Sequence, residues 1–296
     1  MPASGTPPRV TAPSGIGIVL AAHGSRLPEA LATLEAFARN VAAAYPGCTV
    51  LPARTMGEMH RGRHLRPLFG AKSVDAAFLE MARLGVSRVA VQSLHVVAGG
   101  EFTQVVEGAR RARKSGAFAA VAVGGPLLRG PRDAAAVAET LLVGLPRERT
   151  PDEAVAVMGH GARGPARDIY AALAGELSRR DARVFFSTLD RNREDAARPD
   201  SNIGRLREAV LRSGARRVWL MPFFSVAGAH ARRDLAGDED HSWRGVLSRA
   251  GIECLPVLNG LLELPRFARV FQDRLDGALA EMTKPKKNEP DIIGAS

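Results

Sequence analysis

VQSLHVVAGGE (Val91 to Glu101) and LMPFFSVAGAH (Leu220 to His230) decide how this chain folds, because they are variants of one pattern. In each, an apolar run ends in a turn containing glycine, the signature of a strand handing over to a loop. Two further pairs flank them. AAHGSRLPEA (Ala21 to Ala30) resembles MGHGARGPAR (Met158 to Arg167), and LLRGPR (Leu127 to Arg132) resembles LLELPR (Leu261 to Arg266). The three matches keep the same order and nearly the same spacing, so the chain reads as a duplication. The halves join near Leu145 to Asp152, where LPRERTPD has linker composition.

Working outward, strand-like runs and helix-period segments alternate through both halves. IGIVLAA (Ile16 to Ala22) is the first strand and Pro28 to Ala44 the first helix, with proline at its start. Strands follow near Thr49 to Ala53, Arg88 to Leu94 and Phe118 to Val123, with helices near Val74 to Leu84, from Glu101, and over Pro131 to Leu142. The second half repeats the order: AVAVMG, a helix from Pro165, RVFFST, a helix near Ile203 to Leu211, RVWLMPF, a helix near Glu239 to Ala250, IECLPV, and a helix from Pro265. Such alternation implies an α/β fold, a mainly parallel sheet in each half with helices on both faces, and a cleft between the halves. The expected organisation is a flexible extension over 1–15, an α/β half over 16–145, a second over 152–282, and a flexible tail over 283–296.

Composition narrows the function classes. Of 296 residues, 46% are apolar and 24% charged, an ordinary globular balance. No apolar run approaches the roughly 20 residues that span a bilayer, so no membrane association is expected. The Pro- and Ser-rich N-terminus lacks a signal-peptide core, which points to the cytoplasm. Cys48 and Cys254 form no CxxC pair and read as inert thiols. The formal charge of +10 attracts polyanions, but it is mostly scattered arginine, and aromatics are only 5%, too few for base-stacking platforms. Nucleic acid is therefore not an expected partner, whereas an acidic metabolite is.

In open parallel sheets, ligands bind beyond the carboxyl ends of the strands. His23 and His160 close the first strand of each half, and Glu101 and His230 follow the third strand of each half by one loop. The duplication thus gathers His23, His160, Glu101 and His230 around one cleft. A lone histidine in HG(S/A)R would more simply cap a helix. Two at equivalent positions, with a third His and a Glu at another equivalent pair, favour a ligand or base set. Imidazole with one or two carboxylates suits Co, Ni, Fe or Zn.

QSLHVVAGGEF, VMGHGARGPA, LMPFFSVAGAH and AGDEDHSW together resemble the sirohydrochlorin cobaltochelatases of the anaerobic cobalamin pathway, the single-chain, two-domain type. The resemblance runs from about Ile16 to Leu279. It implies the class II chelatase fold and ATP-independent insertion of Co2+ into sirohydrochlorin, with no cofactor beyond the substrate metal. By this resemblance, His160 binds the metal and takes a pyrrole proton, His230 is a second metal ligand, and Glu101 is a catalytic acidic residue facing it. The family places a metal-binding Glu where this sequence reads STLD, so Asp190 is its shorter counterpart. His23, absent from several relatives, is either an additional base or a remnant of the duplication. Loops holding Leu94, His95, Phe224 and Ser225 would grip and bend the macrocycle. His95 aligns with Phe224 in the repeat, so a wall beneath the macrocycle and metal ligation both stay open for it.

Fe2+ or Ni2+ in place of Co2+, and a non-catalytic tetrapyrrole or metal carrier, are the alternatives; a homo-oligomer stays open. His60 and His64, among Arg61, Arg63 and Arg66, read as a solvated basic face or as contacts to substrate carboxylates. Asp238, Asp240 and His241 read as the acidic front of a helix rather than a metal cluster.

Overall fold

The computed structural model describes residues 15–55, 72–161, 163–189 and 198–284. The expectations for the N-terminal extension, the basic stretch 56–71, Asp190 and the segment 285–296 fall outside the described residues.

Strands β1 (Ile16–Ala22), β2 (Thr49–Arg54), β3 (Arg88–Ser93) and β4 (Ala120–Gly124) form one sheet of order β2-β1-β3-β4. A second sheet, of order β6-β5-β7-β8, is built from β5 (Ala154–Gly159), β6 (Val184–Thr188), β7 (Arg217–Phe223) and β8 (Glu253–Pro256). Every pairing is parallel, and the two orders are equivalent, as a duplication requires. The connecting helices are α1 (Pro28–Ala44), α2 (Val74–Arg83), α3 (Gly100–Lys114), α4 (Ala134–Val143), α5 (Pro165–Arg180), α6 (Asn202–Arg212), α7 (Trp243–Arg249) and α8 (Pro265–Glu281). Proline opens α1, α5 and α8, where its missing N–H costs nothing. Serine side chains cap α2, α6 and α7 by accepting the N–H of residue N3. The Ser242 cap is the reason α7 starts at Trp243, later than the acidic residues suggested. Asp238 and Asp240 instead pair with Arg244 and Arg249.

β1 and β5 are buried along their whole length, which explains their unbroken apolar runs. Alternate residues point into different cores. Val19 and Ala21 join Phe78 and Val105 under α2 and α3, while Ala156 and Met158 join Leu206 and Trp243 under α6 and α7. Ile18, Leu20, Val155 and Val157 instead share a single central core with Phe37, Leu173 and Phe271. One hydrophobic layer therefore joins the two sheets.

The last helices reinforce that junction. α8, at the end of the second half, lies on β3 and β4 of the first sheet, and α4 of the first half lies on α5 of the second. Polar contacts fix the exchange: Tyr45 donates its hydroxyl proton to Asp276 at 2.5 Å, and Arg274 pairs with Asp133 at 3.2 Å. The two halves are thus joined by a shared core and by exchanged helices.

Candidate metal centre

Both loops after the third strands are held alike. Leu127 and Leu128 donate their N–H groups to the His95 and Val96 carbonyls, and Leu261 and Leu262 donate theirs to Phe224 and Ser225. The third repeated motif is therefore a backbone brace, and it makes His95 and Phe224 structural equivalents. Gly260 precedes the second brace. A Cβ there would lie 2.5 Å from Val226 Cα and 2.7 Å from the Ser225 carbonyl oxygen, so the close approach needs glycine. The braced loops meet where the Ser225 hydroxyl donates to the Leu94 carbonyl.

His160 follows β5 directly, and His230 opens a π-helical turn (His230–Leu235) after β7. Such turns recur at functional sites. The two rings stand 5.1 Å apart at 74°, with Phe224 6.2 Å from His160 and 6.4 Å from His230. Burial lowers the His160 imidazole below its ordinary value, and the nearby His230 adds to the effect. A neutral imidazole keeps a lone pair for a metal or a proton. Among the described residues, no three His, Cys, Asp or Glu side chains gather closely enough to hold an ion by themselves.

His23 and Glu101 occupy the equivalent positions of the first half, and there they are bonded: His23 Nδ1 lies 2.5 Å from Glu101 Oε1. Gly24, with φ of +97°, is left-handed and turns the chain directly after His23. Parallel register sets Ala22 beside Arg54, which brings the next residue, Thr55, to the same place. The Thr55 hydroxyl donates to Glu101 Oε1 at 3.1 Å and lies 2.9 Å from His95 Nε2, and His95 Nδ1 lies 2.9 Å from the Ser93 hydroxyl. A carboxylate only accepts, so the proton order follows. Ser93 donates to His95 Nδ1, His95 Nε2–H to Thr55, and Thr55 to Glu101.

That order fixes the charges. Burial alone would raise the Glu101 carboxyl, but the His23 hydrogen bond, the His95 and His23 charges and the Thr55 hydroxyl hold it at about 2. The same hydrogen bond raises His23 above its ordinary value against the effect of burial. Burial drives His95 down to about 4, so it stays neutral. The charges of His23 and Glu101 both act on His160, so the two half-sites lie within electrostatic reach of each other. Arg232 and Glu29, 3.8 Å apart, bridge its sides.

Of the remaining candidates, Phe224 and Ser225 are half-buried at the loop junction, whereas Leu94 and His95 are buried at 1% and 7% exposure. Thr55, Ser93 and Asp234 were not singled out from sequence. Thr55 and Ser93 emerge only from strand register, while Asp234 had a signal, the four-residue spacing of HARRD.

Residues 16–280 match the family described as Cobalt chelatase (CbiK). The chain belongs to that family. It is 36% identical to sirohydrochlorin cobaltochelatase CbiKC of Nitratidesulfovibrio vulgaris, covering 90% of this chain and 91% of that one. Identity to the sirohydrochlorin cobaltochelatase of Salmonella typhimurium is 31%, over 81% of this chain and 87% of that protein. Among solved structures, the sirohydrochlorin chelatase SirB of Bacillus subtilis subspecies spizizenii, in complex with cobalt, superimposes with a TM-score of 0.55. It covers 90% of this chain and 96% of that chain at 13% identity, which speaks for the fold alone. This member of the family thus has the two-sheet chelatase architecture, and no helix among its described residues is long and apolar enough to cross a membrane.

Proposed function

We propose that this CbiK-family chain inserts Co2+ into sirohydrochlorin in the cleft between its braced loops. The observation that carries the reading is the His160–His230 pair, 5.1 Å apart and opposite the His23–Glu101 dyad. Insertion exchanges two pyrrole protons for one divalent ion, so the site must deliver a metal and remove two protons. His160 and His230 hold Co2+ with Asp190 as the carboxylate ligand, three donors that leave open positions for ring nitrogens. Ring nitrogens held in one macrocycle then displace the protein ligands because they are preorganised.

Neutral His160 takes one proton as its metal leaves. The second goes to His23, whose basicity is raised by the Glu101 carboxylate, as suits a general base. Glu101 remains anionic throughout; it orients His23 and balances the imidazolium charge. His23 is 57% exposed, so it returns its proton to water directly. Phe224 and Ser225 form the wall against which the macrocycle bends, and Leu94 and His95 support that wall from behind.

Mixing the protein with sirohydrochlorin and Co2+, Fe2+ or Ni2+, and following the absorbance change, tests this reading. Multiple turnovers fastest with Co2+ are expected. A stoichiometric endpoint would replace catalysis with carriage, and a faster rate with Fe2+ or Ni2+ would replace cobalt as the preferred metal.

A further inference from the structure

His230 does not stand alone behind the cleft. Its Nδ1 lies 2.6 Å from Asp234 Oδ2, one turn further along the π-helical segment, and Asp234 is only 5% exposed. A carboxylate withdrawn from water needs donors, and short contacts between imidazole and carboxylate are among the stronger ones. Since a carboxylate only accepts, the shared proton resides on Nδ1. A neutral imidazole carries one proton, so Nε2 is left with the lone pair.

The stretch AGDEDHSW supplies the second flank. His241 turns inward, with Nε2 4.0 Å from Asp234 Oδ1, and that nitrogen is buried without a hydrogen-bond partner among the described residues. The Ser242 hydroxyl, bonded to the Gly237 carbonyl, and the Ser242 N–H, bonded to the Glu239 carbonyl, hold the turn that carries it. Each half therefore encloses one carboxylate between two imidazoles: Glu101 between His23 and His95, and Asp234 between His230 and His241. Glu101 is 40% exposed, whereas Asp234 lies behind its histidine.

We propose that Asp234 is a positioning residue for cobalt loading, holding His230 in the tautomer and orientation that present Nε2 to Co2+, with His241 closing the far side of the carboxylate. This rests on His230 being a cobalt ligand. Carboxylates placed behind metal-binding histidines commonly contribute about 10- to 100-fold in metal affinity.

The test uses the full chain and Co2+ alone. Titration followed by visible absorbance should show Asp234→Ala weakening Co2+ binding by about 10- to 100-fold, with Asp234→Asn, which keeps an acceptor oxygen, recovering part of the loss. In proton NMR of the cobalt-loaded protein, the shifted, exchangeable Nδ1–H signal that disappears in His230→Ala should exchange with solvent faster in Asp234→Asn. Should Asp234→Ala fail to fold, the Asn variant, equal in volume, carries both readouts. Wild-type affinity and slow exchange in Asp234→Asn would overturn the positioning role while leaving His230 a ligand. Wild-type affinity in His230→Ala would instead remove the ligand assignment, and this inference with it.

Discussion

His160 and His230 leave neighbouring strands, β5 and β7, and their rings meet 5.1 Å apart at 74°, with Phe224 against both. Two rings set edge to face cannot both lie flat on one planar macrocycle, so their nitrogens are better placed to share an ion than to stack. His160→Ala and His230→Ala are each expected to lower cobalt insertion by at least about 100-fold. The double variant should be little worse than the weaker single one, because residues acting as a unit are not additive. Initial rates of cobalt-sirohydrochlorin formation check this; near-normal turnover in either single variant removes that histidine from the site.

The dyad across the cleft predicts a pH dependence. Glu101 raises His23 above 6.5, so the imidazolium persists to higher pH and the rate should climb as pH passes through that raised value. Glu101→Gln removes the carboxylate, burial then acts on His23 unopposed, and its imidazole should titrate lower than in the wild type. The rising limb of the pH–rate curve then moves to lower pH. Histidine NMR titration reads His23 directly, and an unchanged midpoint in Glu101→Gln would show that the pair is not coupled in solution.

Much of this is legible in the sequence. The apolar runs of β1 and β5 and the tandem motifs place strands, helix starts and the loop positions of His23, Glu101, His160 and His230, because burial on both faces of a parallel strand leaves an unbroken apolar trace. Side-chain direction was not legible. His95 looked like a cleft residue because its neighbours are; its burial depends on Thr55, which arrives from another strand through register. The helix exchange was equally hidden, since α8 has the same amphipathic pattern whichever sheet it covers. In sequence His241 belongs with the acidic residues around it, and only the inward turn before Ser242 separates it from them.

His95 gives a stability prediction distinct from activity. Removing its ring in His95→Ala leaves the Ser93 hydroxyl without its acceptor and the Thr55 hydroxyl without its donor. Thr55 keeps its bond to Glu101, so the cost falls mainly on the stranded Ser93 hydroxyl, about 1–3 kcal/mol. The variant should lose thermal stability yet retain Co2+ binding, because the His160–His230 pair is unaffected. Loss of Co2+ binding at unchanged stability would place His95 in the metal site instead.

The shared core predicts how the protein unfolds. Phe271 on α8 is fully buried, its ring 6.5 Å from Phe37 on α1, so Phe271→Ala opens a cavity in the layer between the sheets. The cost should be about 3–5 kcal/mol. Because that layer belongs to both halves, the loss should lower one common transition rather than split the curve. Both tryptophans, Trp219 and Trp243, lie in the second half, so their fluorescence reports that half, while amide exchange in β1 and β3 reports the first. Coincident midpoints for the two probes, in wild type and variant alike, are expected. Two separated midpoints would mean that each sheet holds its own stability and that the exchanged helices contribute little to joining them.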